Sequence, residues 1–92
     1  MSWRPWVVSW DEYRAGADLE ALGRRDPQLA RRIRRSVTAY AETGHGDVLK
    51  MKGYTDRWRQ RVGDWRIVFT LDRASRTLVV LSVALRKDVY RG

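Results

Sequence analysis

Residues 57–69 have the sequence RWRQRVGDWRIVF, in which two alternating segments flank a Gly63-Asp64 pair. A two-residue connection of this kind is typical of a β-hairpin, and side chains alternate between the faces of each strand. The pattern predicts strands over residues 57–62 and 65–72, with Arg61 opposite Arg66. One face then carries the arginines Arg57, Arg59, Arg61 and Arg66. The other face is largely apolar, with Trp58, Val62, Trp65, Ile67 and Phe69.

The arginine face supports two interpretations. Like charges directly opposite each other on antiparallel strands are destabilising, and Asp56, Asp64 and Asp72 lie only at the predicted strand ends. A cluster maintained at a cost to stability indicates a site for anionic groups from outside. The alternative is a solvated rim on which the long side chains splay apart, and the strands alone leave both interpretations open.

The first half of the chain predicts one strand followed by a helix. Residues 4–8, RPWVV, form a short β-type segment with a proline near its start, as is typical of an edge strand. The sequence Ser9-Trp10-Asp11-Glu12 matches a capping box, with Ser9 as the N-cap. We expect the helix to end near Leu22, before Gly23, which is a natural stop. Its inner stripe is Ala15, Leu19 and Leu22.

A second helix is predicted to begin at Asp26-Pro27, with Asp26 as its cap, and to end at Gly44 or Gly46. Its apolar stripe is Leu29, Ile33, Val37 and Tyr40, and a short link makes the two helices an antiparallel hairpin. The exposed surface carries Arg31, Arg32, Arg34 and Arg35, which we interpret as a solvated face.

A loop over residues 45–55 is expected to precede the β-hairpin, and a further apolar strand, residues 77–85, to follow it. This last strand, TLVVLSVAL, has the continuous apolar pattern expected of a central strand covered on both faces. The predicted fold class is α+β. An N-terminal strand and an antiparallel helical hairpin pack on a twisted sheet that a C-terminal three-strand antiparallel meander completes.

Charge points to an anionic partner for the C-terminal half. The 92 residues, expected to form one domain over 1–92, have a net charge of +8. Residues 50–92 contribute +7 of it, since they hold eleven basic and four acidic residues. Only three of the 19 basic residues are lysine, and the remaining sixteen are arginine, which binds phosphate in a planar, bidentate manner. A polyanion is therefore the expected partner.

Several classes of protein and site are not expected. There is no cysteine and hence no disulfide framework or thiolate metal site. No apolar segment approaches the roughly 20 residues that span a bilayer, and no signal peptide is recognised. We therefore expect a cytoplasmic protein without a membrane partner. The single histidine, His45, lies in a glycine-flanked loop, and no zinc cluster or P-loop is present, so we expect neither a metal nor a cofactor.

Arginine, lysine and tyrosine can still cleave RNA, because RNA supplies its own nucleophile, the 2′-OH. Arginines can hold the phosphate and stabilise the negative charge that develops on it. Proton transfer needs another group, and surrounding cations would lower the pKa of a tyrosine by favouring phenolate. Tyr90 is therefore a candidate general base, provided that it folds over the arginine cluster.

Three motifs stand out in the C-terminal half: a lysine-containing loop ending in glycine (residues 49–53), the R-x-R-x-G-x-W-R-I-V-F hairpin (residues 59–69), and a closing R-x-x-x-Y (residues 86–90). In these motifs the chain resembles bacterial toxins of the RelE/ParE superfamily. The preceding strand and helix pair follow the family's order, so the resemblance covers nearly the whole chain. It implies the toxin of a type II toxin–antitoxin system.

The resemblance to the RelE branch implies a ribosome-dependent mRNA endonuclease, which cuts the A-site codon without a metal by 2′-OH attack and so inhibits translation. The implied catalytic residues are Arg59, Arg61, Arg66, Arg86 and Tyr90. The implied RNA-binding residues are Lys50 and Lys52, to which the arginine face adds Arg57. Three positions depart from the family: Arg59 and Arg61 replace lysines, and Leu85 replaces a histidine, which places more weight on Tyr90 as the base.

The implied partners are a cognate antitoxin protein, the ribosome and mRNA, with operator DNA reached only through the antitoxin. An alternative from the same superfamily is a ParE-like inhibitor of DNA gyrase without nuclease activity. A third is an inactive member that serves only as an antitoxin-bound corepressor. The arginine set favours the nuclease over both.

Overall fold

The computed structural model describes residues 2–88. One strand is followed by two helices and then by four strands. The elements are β1 (Val7–Trp10), α1 (Ala15–Arg25), α2 (Pro27–Thr43), β2 (Val48–Lys50), β3 (Trp58–Val62), β4 (Trp65–Asp72) and β5 (Thr77–Leu85), followed by one 3₁₀ turn at Arg86–Asp88. In this part of the chain no helix is both long and apolar enough to cross a bilayer.

The strands form one five-stranded sheet in the order β1-β5-β4-β3-β2. Strand β1 lies parallel to β5, whereas the other three pairs are antiparallel. The two helices pack against each other, and α1 also contacts the interior strand β5. The expected α+β class, with a helical hairpin on a sheet completed by the β3–β5 meander, is confirmed.

Two predictions about the N-terminal region are wrong. The first strand covers Val7–Trp10 instead of residues 4–8, because its backbone pairs with β5 from Thr77 onward. Ser9 lies inside that strand, opposite Val79, and therefore caps no helix. Helix α1 begins only at Ala15, after a turn in which the Asp11 carbonyl accepts a hydrogen bond from Gly16 N at 2.7 Å.

The helical predictions were right about the inner faces and less accurate about one end. Helix α1 continues past Gly23 to Arg25. Gly23 therefore lies inside the helix and does not end it; a β-carbon there would make an ordinary contact with the Ala30 methyl of α2, at 3.7 Å. Helix α2 begins as predicted, with the Asp26 carboxylate accepting a hydrogen bond from Leu29 N at 3.1 Å, and ends at Gly44, whose φ is 77°.

The core lies between the helices and one face of the sheet. It contains the predicted helical residues Ala15, Leu19, Leu22, Ile33 and Val37, together with Ala41 and the sheet residues Val62, Ile67, Phe69, Leu78, Val80 and Val83. Strand β5 lies inside the sheet, between β1 and β4, and alternates between buried and half-buried residues. The expectation that both of its faces are covered is therefore wrong: its outward side chains lie on the face of the sheet that carries the arginines.

The segment predicted as a loop over residues 45–55 contains strand β2, which was missed. Val48, Leu49 and Lys50 pair with Gln60, Arg59 and Trp58, respectively. A three-residue strand is too short to show an alternating pattern, and its conformation is set by the partner strand. The correction matters for the site because β2 forms the sheet edge beside the arginines.

Candidate functional site: an arginine-lined cavity on the open face of the sheet

The arginines lie in two rows across the open face of the sheet. The β3–β4 register places Arg61 opposite Arg66 and Arg59 opposite Val68, as predicted. Strand β5 continues these rows with small side chains, because Arg66 pairs with Ala84 and Val68 pairs with Ser82. Small residues next to long ones leave room above the sheet.

That room is a cavity of about 350 Å³, here called the arginine cavity. It is lined by Asp47, Leu49, Arg59, Arg61, Arg66 and Arg86. Four of the five predicted catalytic residues therefore meet in one place. All four line the same cavity, although Arg61 and Arg86 are also exposed to solvent.

One carboxylate reaches the arginine cavity, contrary to the sequence-based expectation that none relieves the cluster. Arg61 N donates a hydrogen bond to the Asp47 carbonyl at 2.9 Å, which extends the β2–β3 ladder by one residue. The Asp47 side chain then lies beside Arg61, with Oδ2 3.3 Å from Nε. Both side chains are more than half exposed, and exposed ion pairs of this kind contribute only about 0–1 kcal/mol. Asp47 therefore compensates the positive charge of the arginine cluster only in part.

Arg66 is held by the backbone of its own hairpin. Its Nη1 donates to the carbonyls of Gly63 at 2.9 Å and Trp65 at 3.0 Å. Desolvation lowers the pKa of Arg66, and the positive charges of Arg61, Arg59 and Arg86 lower it further, against a smaller opposing effect of Asp64. The lowered pKa indicates that the guanidinium groups repel one another across the cavity, so a bound anion would relieve that repulsion.

Arg86 joins the cavity through a backbone contact from the end of β5. Its N–H donates to the carbonyl of Asp64, in the hairpin turn, at 2.8 Å. This bond holds the 3₁₀ turn at Arg86–Asp88 against the β3–β4 turn, which places Arg86 among residues more than twenty positions earlier in the chain. The fifth predicted catalytic residue, Tyr90, lies outside the described residues.

Two of the three predicted RNA-binding residues, Lys50 and Lys52, line a second cavity, here called the Tyr54 cavity. It also measures about 350 Å³ and is lined by Leu49, Lys50, Met51, Lys52, Tyr54 and Arg59. Although Lys50 borders it, the Lys50 ammonium lies 5.8 Å from the Trp58 ring centroid, and Trp58 packs against the core on the helix side. The guanidinium of Arg57 lies 4.7 Å from the centroid of the Tyr54 ring.

Three features of this surface were not recognised in the sequence. Asp47 lies just before strand β2, Leu49 lies within it and Tyr54 lies in the loop after it, all in the segment predicted to be a loop. The only available signal was the proximity of Leu49 and Tyr54 to the lysines. As for metals, no group of three or more potential ligands among histidine, aspartate and glutamate occurs within residues 2–88.

Comparisons with known proteins identify the fold. No protein-family model matches the sequence. No curated protein sequence matches it significantly either. Solved structures do match. A chain of the RelBE2 toxin–antitoxin complex from Mycobacterium tuberculosis is similar with a TM-score of 0.74 and 20% identity, over 91% of this chain and 94% of that one.

Two further structures agree. A chain of the archaeal RelE–RelB complex from Pyrococcus horikoshii has a TM-score of 0.71 and 19% identity, over 97% of this chain and 100% of that one. A chain of the YoeB dimer from Staphylococcus aureus has a TM-score of 0.67 and 19% identity, over 86% of this chain and 94% of that one. In each case the likeness extends over nearly the full length of both chains. The chain therefore has the RelE fold, that of the RelE and YoeB toxin structures.

Proposed function

We propose that this protein is the toxin of a toxin–antitoxin pair and that it cleaves mRNA in the ribosomal A site. The observation that carries the proposal is the convergence of Arg59, Arg61, Arg66 and Arg86 on one cavity. The similarity to RelE and YoeB structures, two of them toxin–antitoxin complexes, supports it independently.

In the proposed reaction, the 2′-oxygen of a ribose attacks the adjacent phosphorus, and the bond to the following 5′-oxygen breaks. The products are a 2′,3′-cyclic phosphate and a free 5′-OH. The four arginines hold the phosphate and stabilise the additional negative charge of the transition state. Arg66 is held by its hydrogen bonds to the hairpin carbonyls of Gly63 and Trp65, so its position does not depend on the ligand.

Two protons must move, one from the 2′-OH and one to the leaving 5′-oxygen. Arginine stays protonated in proteins and therefore cannot accept the first proton. Among the described residues that line the arginine cavity, Asp47 is the carboxylate, and we assign it the role of proton acceptor. Tyr90, predicted from the sequence as the base, is then proposed for the second transfer, to the leaving oxygen. No metal or cofactor is part of this proposal.

The same basic surface is the proposed contact for the other partners. A cognate antitoxin would neutralise the toxin by covering the arginine cavity, and the toxin would reach operator DNA only through that antitoxin. Ribosomal RNA and mRNA offer the phosphates that the C-terminal half, with its net charge of +7 over residues 50–92, attracts. A cytoplasmic location follows from these partners.

The test is primer extension on mRNA with the purified protein, with and without ribosomes. We expect new RNA ends within codons, and only when ribosomes are present. Arg66→Ala should lower the single-turnover rate about 10²–10³-fold through lost electrostatic stabilisation. Asp47→Asn should lower it about 10²–10⁴-fold. The matched control is Arg24→Ala, which removes an exposed arginine from the last turn of α1 and should cleave at the parental rate.

Absence of new RNA ends when ribosomes are present would refute the nuclease. A supercoiling assay with purified gyrase then tests the ParE-like alternative: inhibition of gyrase without RNA cleavage would replace the proposed function by that one. Parental cleavage by Asp47→Asn would instead refute only its role as proton acceptor.

A further inference from the structure

The Tyr54 cavity directly adjoins the arginine cavity. The two share Leu49 and Arg59 as common walls and have the same volume, about 350 Å³ each. Their linings differ in chemistry. Guanidinium groups dominate the first, whereas the second combines a tyrosine, a methionine and a leucine with basic residues at its edge. A phosphate site and a partly apolar site therefore lie side by side on one face.

Tyr54 is held in place by the loop that carries it. Met51 N donates to the Arg57 carbonyl at 2.9 Å, which closes the loop between β2 and β3. At the far end of the loop, Thr70 Oγ1 donates to the Asp56 carbonyl at 2.6 Å and so ties the loop to β4. Because both ends are fixed, Tyr54 requires little ordering when a ligand binds.

The Tyr54 ring is available to a ligand. Tyr54 is 49% exposed, and Leu49, across the cavity, is 59% exposed. Arg57 lies over the Tyr54 ring at 4.7 Å, a cation–π distance. An exposed aromatic ring among cations is the arrangement with which proteins bind single-stranded nucleic acids, because the ring stacks on a base while the cations hold the backbone.

We propose that the Tyr54 cavity is a nucleobase subsite, in which Tyr54 stacks on the base next to the phosphate held in the arginine cavity. The inference rests on the proposed function, since it identifies the ligand as single-stranded RNA. Leu49 and Met51 cover the edge of the base, and Arg57 and Lys52 hold its backbone. The geometry favours RNA over a peptide, because only a nucleotide chain presents phosphates and planar bases at adjacent positions.

The test measures binding separately from cleavage. Ribosomes are programmed with an mRNA whose A-site codon carries 2′-O-methyl groups, which remove the attacking hydroxyl, and the dissociation constant of the toxin is measured. Tyr54→Ala should weaken binding about 5- to 150-fold, the range of one lost base-stacking contact. Tyr54→Phe keeps the ring and should bind within about 2-fold of the parent. The matched control, Tyr13→Ala, removes a tyrosine that is 88% exposed in the turn before α1 and should bind as the parent does.

A second set of mRNAs identifies the stacked base. Each A-site base in turn is replaced by an abasic residue, and the losses are compared between the parent and Tyr54→Ala. At one position, the abasic residue should weaken binding by the parent as much as Tyr54→Ala does. On the mRNA with that abasic position, Tyr54→Ala should cause no further loss of affinity. The slope of affinity against salt should stay unchanged in Tyr54→Ala but fall in Arg59→Ala, which removes a phosphate contact.

Three outcomes would overturn the inference. The first is that Tyr54→Ala binds programmed ribosomes as tightly as the parent. The second is that Tyr54→Ala loses the same affinity relative to the parent at every abasic position. It could also lose affinity for the antitoxin alone, which would make the cavity a peptide-binding site. Failure of the proposed function looks different: the parent would then produce no new ends on unmodified mRNA, whatever residue stands at position 54.

Discussion

Gln60 is a buried polar side chain whose hydrogen bonds are incomplete. It lies on the helix side of β3, is 2% exposed, and donates from Nε2 to the Ser36 carbonyl of α2 at 3.0 Å. Its Oε1 is buried and has no hydrogen-bond partner among the described residues. Turning the amide over would place the oxygen against the Ser36 carbonyl, so the observed orientation is the one in which the amide donates.

Gln60→Met should therefore stabilise the protein. Methionine has a similar length and adapts to irregular spaces. The substitution removes one hydrogen bond, worth about 0.5–1.5 kcal/mol, and one buried unsatisfied acceptor, which costs about 1–3 kcal/mol. The net expectation is an increase of about 1 kcal/mol in the free energy of unfolding. For a chain of this size that corresponds to a rise in Tm of about 4–8 °C.

Urea unfolding followed by tryptophan fluorescence measures this change, since the chain has five tryptophans. The midpoint should rise with an unchanged m value. Gln60→Glu is the contrasting variant: it places a carboxylate in the same buried position and should destabilise by several kcal/mol at neutral pH. A fall in the free energy of unfolding of 1 kcal/mol or more for Gln60→Met would refute the reasoning, because the Gln60 amide would then contribute more than its unsatisfied oxygen costs.

Three further predictions concern backbone and capping positions. Gly44→Ala should destabilise by at least about 1–2 kcal/mol in thermal unfolding, because its φ of 77° is left-handed and a β-carbon would lie 2.6 Å from the Trp3 ring. Asp26→Ala should cost about 0.5–2 kcal/mol in the same measurement, because α2 loses its N-cap. Hydrogen bonds from the backbone and side chain of Ser75 lower the pKa of Asp72 below 3.8. This stabilisation is present above pH 3.8 and is lost as the pH falls through the lower folded-state value. Asp72→Asn should therefore lower Tm at pH 7 but less so at pH 3.

Each of these three has its own control. Gly53 also has a left-handed φ, of 83°, but a β-carbon there would have no atom within 4 Å. If Gly53→Ala destabilised the protein as much as Gly44→Ala does, the contact with Trp3 would not be the cause. Asp26→Asn keeps a capping oxygen and should retain most of the stability that Asp26→Ala loses. If Asp72→Asn lowers Tm by the same amount at pH 7 and at pH 3, titration of Asp72 is not the cause.

The parts of the fold that depend on neighbouring residues were predicted well. The β3–β4 register, the bounds of β4 and β5, and the start of α2 follow from a two-residue turn, an alternating pattern and a cap with proline, all of which act within a few residues. The same local alternation placed Arg59, Arg61 and Arg66 on one face. Their convergence with Arg86 also required β5 to lie beside β4, which a short connection makes the expected arrangement.

The errors have a common cause in long-range pairing. Ser9 and Glu12 match a helix cap, but β1 gains hydrogen bonds from β5, some 70 residues later, and these outweigh one local cap. Strand β2 has no pattern of its own and forms on the edge that β3 offers. Asp47 and Tyr54 reach the two cavities only through that strand and its loop, which is why the sequence did not reveal them.

For this protein, then, the order of charges and apolar residues was enough to determine the hairpin, the helical faces and a surface rich in arginine, because each depends on the periodicity of a single element. Tertiary structure alone decided where the sheet ends, which carboxylate lies beside Arg61, and which aromatic ring lies next to the arginines. Those features arise from backbone hydrogen bonds between distant segments, and such bonds leave no pattern within either segment.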